Sequence, residues 1–424
     1  MMESINSILS GFLLPLLLII CGIWFGIKLR FFYIFHPLKL TKCLFEASDE
    51  GGVSPFRALS VALAGTLGVG NMAGVTTAIV AGGAGALFWM WISAACAMSI
   101  KYMEVKLAVE TREKRSDEWH GGAMYYIKSI FGGKTGKTLG AFFAVMCAVN
   151  SLITGNIVQV NSACAAIDIK PVYTGFAIGF VAIWIAAGGG KRISSATATI
   201  IPLLSAVYMI ICLAIIFNNI ERIPKIFQNI ISEAFSFRSV SGGLGGFTMV
   251  RAMRFGVTRG IFSNEAGCGT SPTAHAQADT KSSHHQGCFG IFEVFADTIV
   301  LCTMTGLVIL LCKNNYLDGI PLTLYAFRTL AGAWAEKIIS VSVVLFAFAT
   351  VIGQASYGLV SLDFLGGKNK LRLCYLAFIP FCSLVGAMIN ADTMWQIADL
   401  IVSVMTIVNV LSLSVYIKSK KTPL

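Results

Sequence analysis

The chain has 424 residues, 56% of them hydrophobic and only 12% charged, where soluble domains run at about 45–50% and about 25%. The apolar residues come in runs long enough to cross a bilayer, which takes about 20 residues of helix, so a soluble domain is excluded and an all-α polytopic membrane protein is predicted. The net charge of +11 falls mostly between those runs, so it reads as membrane topology and not as affinity for nucleic acid.

In chain order, a first span is predicted over about residues 9–29. Its flank, Met1-Met2-Glu3, lacks the positive charge of a signal peptide and is expected to be retained. A basic segment follows with Lys39, Lys42 and Arg57, read as a short interfacial helix and a loop. Further spans are expected over 58–81, 85–110, 138–166, 172–189, 196–217, 247–278, 288–312, 337–359, 371–389 and 393–416, eleven in all. The twelve cysteines are scattered with no C-x-x-C pair and read as small buried hydrophobes. No cofactor or redox centre is implied.

Two spans are interrupted. Residues 58–81 contain Gly65-Thr66-Leu67-Gly68-Val69-Gly70-Asn71, and each glycine weakens a helix by about 1 kcal/mol relative to alanine. Residues 256–272 read GVTRGIFSNEAGCGTSP, again dense in glycine and small polar residues. In hydrocarbon, irregular backbone survives only where it is buried in protein or lines a cavity. Paired breaks in corresponding places of two halves point to a transporter's central site. A glycine face for close helix packing is the other reading of the first stretch.

Sidedness follows from the basic residues. With the N-terminus outside, the inner loops and tail carry 22 Lys and Arg and the outer connections 6, as the positive-inside rule expects. The C-terminus, ending Lys418-Ser419-Lys420-Lys421-Thr422-Pro423-Leu424, is then cytoplasmic, in a plasma (inner) membrane. The predicted organisation is an N-terminal helix and interfacial segment (1–53), a five-helix repeat (54–217), an outer connection (218–246), an inverted five-helix repeat (247–416) and a basic tail (417–424). Each repeat opens on a broken span, so a five-plus-five inverted arrangement with one extra helix in front is expected.

The strings GTLGVGNMAGVTTAIVAGGAGALFWMW, GGAMYYI and RGIFSNEAGCGTSPTAHA resemble signatures of the alanine or glycine:cation symporter family. The resemblance runs most clearly from about residue 50 to 359. It implies the amino acid–polyamine–organocation fold, shared with the bacterial leucine transporter, and sodium-coupled uptake of small neutral amino acids such as alanine and glycine. Na+ would be the coupling ion, and the amino acid, Na+ and membrane lipid the partners.

Free amides at a half-helix N-terminus suit a carboxylate. The amides of Gly68, Val69 and Gly70 are therefore expected to receive the substrate carboxylate, with Thr66 and Asn71 adding side-chain contacts. The ammonium is expected at carbonyls near Phe262 and Ser263, helped by the hydroxyl of Ser263 or Thr66. Asn71 and Asn264 could instead cap the broken helices. Asn156 and Gln159 share a helix face; the resemblance puts Gln159 at the pocket wall, and a polar stripe joining helices is the alternative. The resemblance also implies a sodium site of Thr350 and carbonyls near Ala62 and Gly65, an oxygen shell suited to a hard cation. Many relatives carry a second hydroxyl where this chain has Ala349, and several carry Trp at Gln354. The latter departure predicts a larger, more polar pocket in which serine or glutamine competes better, unless Gln354 bonds to Gln159 or a backbone group.

Glu265, Arg259, Asp297 and Glu293 fall at membrane depth and are functional suspects by default. A Glu265–Arg259 ion pair or a capping role for Glu265 is expected. His284-His285 is read as a solvated pair without metal-ligand spacing. No H-E-x-x-H, G-x-S-x-G or catalytic carboxylate pair is present, which argues against an enzyme. A proton-coupled transporter or a non-transporting sensor on the same scaffold would read alike.

Overall fold

A computed structural model describes residues 2–45, 54–115, 118–236, 248–280, 282–312, 316–367 and 369–419. The Gly242–Gly246 run and the Lys420-Lys421 end of the tail lie outside the described residues. The described residues are all-α apart from a small antiparallel hairpin pairing Glu113–Arg115 with Glu118–His120.

Among the described residues, eight helices are long and apolar enough to cross a bilayer: Ser4–Lys28, Gly85–Glu110, Gly133–Ala166, Gly189–Asn218, Ser283–Leu311, Ala333–Phe364, Asn369–Met388 and Ala391–Ser419. The pair Pro55–Thr66 and Val69–Gly82, bent by 59°, makes a ninth if counted as one span. Two of the eleven expected spans fall short on length or composition. Pro171–Ala186 has only 16 residues, and Thr248–Asn264 carries Arg251, Arg254 and Arg259 along its 17 residues. Large apolar side chains such as Trp184, Phe180, Leu203 and Phe217 face outward from the bundle, as a lipid-facing surface requires. The expected interfacial helix is Pro37–Phe45.

The central frame is helix Gly85–Glu110, most of whose side chains are buried. Its start is fixed from a distance: Glu233 Oε2 accepts the Ala84 amide at 2.6 Å. Helix Ser4–Lys28 lies against it at Gly22, where a Cβ would come 2.5 Å from Cys96 Cβ. There Ser99 Oγ donates to the Gly22 carbonyl at 2.7 Å. Lys101 and Glu104, one turn apart on this frame, are fully buried. The inner-side count of 22 includes Lys101, whose side chain is fully buried in the bundle; without it the count is 21 against 6.

Helix Thr248–Asn264 packs on the same frame at Gly256. A Cβ there would fall within contact distance of the Ala86 carbonyl oxygen and 2.8 Å from Trp89 Cβ. Overpacking of this kind costs about 1–3 kcal/mol. Gly256→Ala should therefore lower the melting temperature of the detergent-purified protein, and an unchanged melting curve would show that the two helices can separate without loss.

Candidate functional site

The first break begins where helix Pro55–Thr66 runs out. Ser54 caps its start, accepting the Arg57 amide at 3.3 Å, with Pro55 in the first turn where no amide is needed. At the far end the Leu67 amide closes onto the Leu63 carbonyl at 2.6 Å. Gly68 then adopts an extended conformation, and a short 3-10 turn, Val69–Asn71, leads into helix Ala73–Gly82. The second break follows Asn264. Glu265 takes a left-handed conformation (φ 50°), as do Gly267 and Gly269 (φ 88° and 75°), before the chain turns helical again at Pro272–His275. A non-glycine residue in that region is uncommon, and Glu265 is held there by its side chain. Its carboxylate accepts the Thr270 hydroxyl at 2.5 Å and the Gln354 amide at 2.6 Å.

The breaks face each other. A Cβ on Gly70 would sit 3.3 Å from Ser263 Cα and 3.5 Å from the Phe262 ring. Helix Ala333–Phe364 runs along the first break in a seam whose contacts step one turn at a time. Tyr357 donates to the Val61 carbonyl at 3.4 Å, Gln354 donates to the Gly65 carbonyl at 3.1 Å, and Gly353 lies where a Cβ would be 3.0 Å from Gly65 N. Thr350 completes the seam opposite Gly68, where a Cβ would be 2.6 Å from its hydroxyl oxygen and 2.7 Å from Gln159 Oε1. The glycines of the stretch thus do different things. Gly65 permits close helix packing, and Gly68 keeps clear the point where two polar side chains meet the break.

The amides assigned to a carboxylate are partly taken. Gly68 N donates to the Thr66 carbonyl at 2.9 Å and Val69 N to Gln159 Oε1 at 3.2 Å, which leaves Gly70 to carry that expectation unaided. Thr66 returns its hydroxyl to the Ala62 carbonyl at 3.1 Å. Asn71 turns from the break toward Asp297, donating to its carboxylate at 2.7 Å and its carbonyl at 3.2 Å. The other Asp297 carboxylate oxygen accepts Ser263 Oγ at 2.8 Å and Thr298 Oγ1 at 2.7 Å. Asp297 thereby ties both breaks together. Asn264 is a cap, accepting the Ala266 amide at 2.9 Å.

Three acceptor atoms around this centre are buried without a hydrogen-bond partner: Thr350 Oγ1, Asn71 Oδ1 and Gln354 Oε1. Leaving such an atom unsatisfied costs about 1–3 kcal/mol. A small cavity beside the break is lined by Gly68, Asn71, Tyr208, Leu301 and Phe346 among others. A larger one, about 520 Å³, is lined by Arg57, His120, Lys191, Ser356, Asp363 and Arg372 among others. Ser356 is six residues from Thr350, about 9 Å along the helix.

Several expected residues lie elsewhere. Asn156 joins two helices, donating to the Ile379 carbonyl and accepting Ser383 Oγ, both at 2.9 Å. Arg259 pairs with Asp399 at 2.9 Å and lies over the Trp395 ring, so the expected pair with Glu265 is not formed. Glu293 instead meets Lys101 at 3.4 Å and His275 at 3.0 Å. His284 and His285 open helix Ser283–Val294, and only His284 is exposed; with Cys43 and Cys288 close to it, the expected absence of metal-ligand spacing does not hold. His284 Nδ1 is bonded to the Tyr102 hydroxyl at 2.6 Å, and His285 is buried against Phe289.

The sequence reading missed Lys101, Glu104 and His275. Lys101 Nζ reaches Ser271 Oγ at 2.6 Å, and Glu104 accepts Gly269 N at 3.0 Å and Asn409 Nδ2 at 2.5 Å. Lys101 and Glu104 fall inside the span expected over 85–110, and two charges within an apolar run were the available signal. Also without a sequence signal are the wide π-turns at Ile153–Ile157 and Phe295–Cys302, which flank Gln159 and contain Asp297. Such turns recur at functional sites.

A profile of the sodium:alanine symporter family matches residues 1–422. The sodium/alanine symporter AgcS of Methanococcus maripaludis is 36% identical, over 97% of this chain and 93% of that one. The probable sodium/glutamine symporter GlnT of Bacillus subtilis is 32% identical, over 96% and 86%. An uncharacterized transporter of Haemophilus influenzae is 37% identical, over 97% and 93%. Among solved structures, the manganese transporter of Eremococcus coleocola superposes with a TM-score of 0.55 at 13% identity, over 87% of this chain and 80% of that one, a likeness of fold alone. The chain belongs to the sodium:alanine symporter family, and it is a sodium-coupled amino-acid symporter, not an enzyme.

Proposed function

We propose that this symporter carries small neutral amino acids, alanine and glycine first, in a site between the two breaks. The observation that carries the reading is the set of unpartnered acceptors, Thr350 Oγ1, Asn71 Oδ1 and Gln354 Oε1, buried where the two interrupted helices meet. Buried acceptors without donors suit cations and ammonium groups, and this site is offered one of each. The substrate carboxylate goes to the amides at Gly68, Val69 and Gly70, displacing the Thr66 carbonyl from Gly68 N and Gln159 Oε1 from Val69 N. The ammonium goes to the carbonyls of Phe262 and Ser263, which end their helix without intrahelical donors, and to Asn71 Oδ1. Asp297, bonded to both Asn71 and Ser263, supplies the compensating negative charge.

Na+ is assigned to Thr350 Oγ1 together with carbonyls of the last turn before the break, those of Ala62 and Gly65. The Gly65 carbonyl, at the end of its helix, accepts the Gln354 amide and has a second lone pair free of intrahelical donors, and the Ala62 carbonyl already accepts the Thr66 hydroxyl. Thr66 is assigned to the helix end, and Asn156 to helix packing. The full membrane topology is eleven spans in a five-plus-five inverted arrangement, with the N-terminus outside and the C-terminus cytoplasmic in the plasma membrane. The 21-to-6 distribution of basic residues and the two breaks, each opening a set of five, support it.

Gly68→Ala should abolish alanine binding while leaving membrane insertion intact, because its methyl group would fall on Thr350 and Gln159. Wild-type affinity in the purified variant would return Gly68 to a packing role. Thr350→Ala is expected to raise the sodium concentration for half-maximal uptake at least about tenfold, about 1.4 kcal/mol, with near-normal uptake at saturating sodium. Equal sodium dependence would remove Thr350 from the cation site, and full uptake on a proton gradient without sodium would overturn the coupling assignment. For selectivity, unlabelled glycine, serine and glutamine compete with labelled alanine for uptake. The competition order should favour serine and glutamine more in wild type than in Gln354→Trp; the same order in both would show that Gln354 does not select substrate.

A further inference from the structure

Away from the two breaks, three segments distant in sequence converge beside the interfacial helix. Cys43 lies on helix Pro37–Phe45, and His284 and Cys288 lie one turn apart at the start of helix Ser283–Val294, a spacing that places both on one helix face. Ligand atoms of Cys43, His284 and Cys288 all fall within 4.8 Å of one another. Both cysteines are buried, while His284 is exposed, so the cluster is closed on the thiol side and open on the imidazole side. Tyr102, from helix Gly85–Glu110, bonds to His284 Nδ1 at 2.6 Å, and His284 Nε2 lies 4.0 Å from Cys288 Sγ. The ring is therefore held with one nitrogen on a phenol and the other toward the sulfurs. Phe32 packs on both His284 and Tyr102, which limits the imidazole's freedom to turn away.

We propose that Cys43, His284 and Cys288 form a zinc(II) site, with Tyr102 as the positioning residue. Two thiolates and an imidazole suit zinc's borderline softness. With Zn–S and Zn–N bonds of about 2.0–2.3 Å, the ligand atoms need to draw in by roughly an ångström from the present spread. An outer partner on the second imidazole nitrogen is the usual accompaniment of a ligating histidine, fixing its tautomer and orientation; here that partner is Tyr102. The fourth position opens on the His284 side and is filled by water. On binding, the two thiols release their protons to the buffer as the Zn–S bonds form, and nothing is oxidised or reduced. The metal would pin the interfacial helix to the helix that carries Asp297, nine residues beyond Cys288.

The test uses the full chain, purified in detergent with its thiols kept reduced and stripped by a chelator. Zinc is titrated against a chromophoric competitor, with cobalt(II) as a spectroscopic probe. One zinc per chain is expected, thiolate-to-cobalt charge transfer in the near ultraviolet, tetrahedral bands in the visible, and a zinc-dependent rise in melting temperature. Cys43→Ser, Cys288→Ser and His284→Ala should each weaken zinc at least about tenfold and remove the melting shift, and the serine variants should lose charge-transfer intensity. Cys374→Ser, which alters an exposed cysteine outside the cluster, should change none of these. Each variant is compared only as a monodisperse peak, and the isosteric serine changes keep the test open if His284→Ala fails to fold. The proposal is overturned by less than half an equivalent of zinc, by affinity unchanged in all three variants, by equal loss in Cys374→Ser, or by a Cys43–Cys288 disulfide that survives reduction.

Discussion

In hydrocarbon a helix cannot simply stop, because the amides and carbonyls it releases have no water to turn to. Two interrupted helices at membrane depth therefore force the surrounding bundle to provide partners. Gln159 accepts the Val69 amide, Gln354 donates to the Gly65 carbonyl, Asn264 accepts the Ala266 amide and Glu104 accepts the Gly269 amide. Each partner sits on a different element or on the break's own rim, so the breaks could not be moved without rebuilding the helices around them. The glycines follow from the same requirement. A polar side chain can satisfy broken backbone only if it comes close, and Gly68 and Gly65 leave room for Thr350, Gln159 and Tyr357 to do so.

The two breaks are not held equally. Helix Gly85–Glu110 braces the second with buried charge: Lys101 reaches Ser271 and Glu293, Glu293 reaches His275, and Glu104 reaches Gly269. Removing one partner of such a buried pair costs about 3–5 kcal/mol, which makes this part of the bundle costly to rearrange. Apart from the Asn71 bond to Asp297, which ties it to the second break, the first break is held by neutral bonds from Gln159 and Gln354, each with a net worth of about 0.5–1.5 kcal/mol. A site that must open to alternate sides gains from this asymmetry. The second break and its frame can stay fixed while the first exchanges partners at a cost that a bound ion and substrate can offset.

Much of this was legible in the sequence. Runs of apolar residues marked the eight long helices and the bent pair, since their length has a direct physical meaning. The two breaks stood out because glycine and small polar residues are costly in a membrane helix unless something uses them. Side-chain partners were harder to read. Glu265 and Arg259 are six residues apart and look like a pair, yet Arg259 points to Asp399 and Glu265 to Gln354, because the left-handed turn at Glu265 carries its carboxylate to another face. Lys101 was counted among the inner-side basic residues although it falls within the span expected over 85–110, where it is fully buried. The cluster of Cys43, His284 and Cys288 had no signature at all, since one ligand lies some 240 residues from the others and only the tertiary fold brings them together.

Gln354 shows how one substitution can change what a site asks of its ligand. Its amide nitrogen is fully committed, donating to the Gly65 carbonyl and to Glu265, so the alternative of a bond to a backbone group is met by the nitrogen. Only the oxygen remains, buried and unpartnered. The residue therefore enlarges the list of acceptors at the site without adding a donor. An indole at the same position would offer one donor and no acceptor, together with a broad apolar face. On the proposed placement, an alanine side chain leaves the Gln354 oxygen unsatisfied, whereas a hydroxyl or amide side chain can donate to it. Selectivity then turns on whether the substrate brings a hydrogen-bond donor, since an unmet buried acceptor costs about as much as one methylene group contributes by burial.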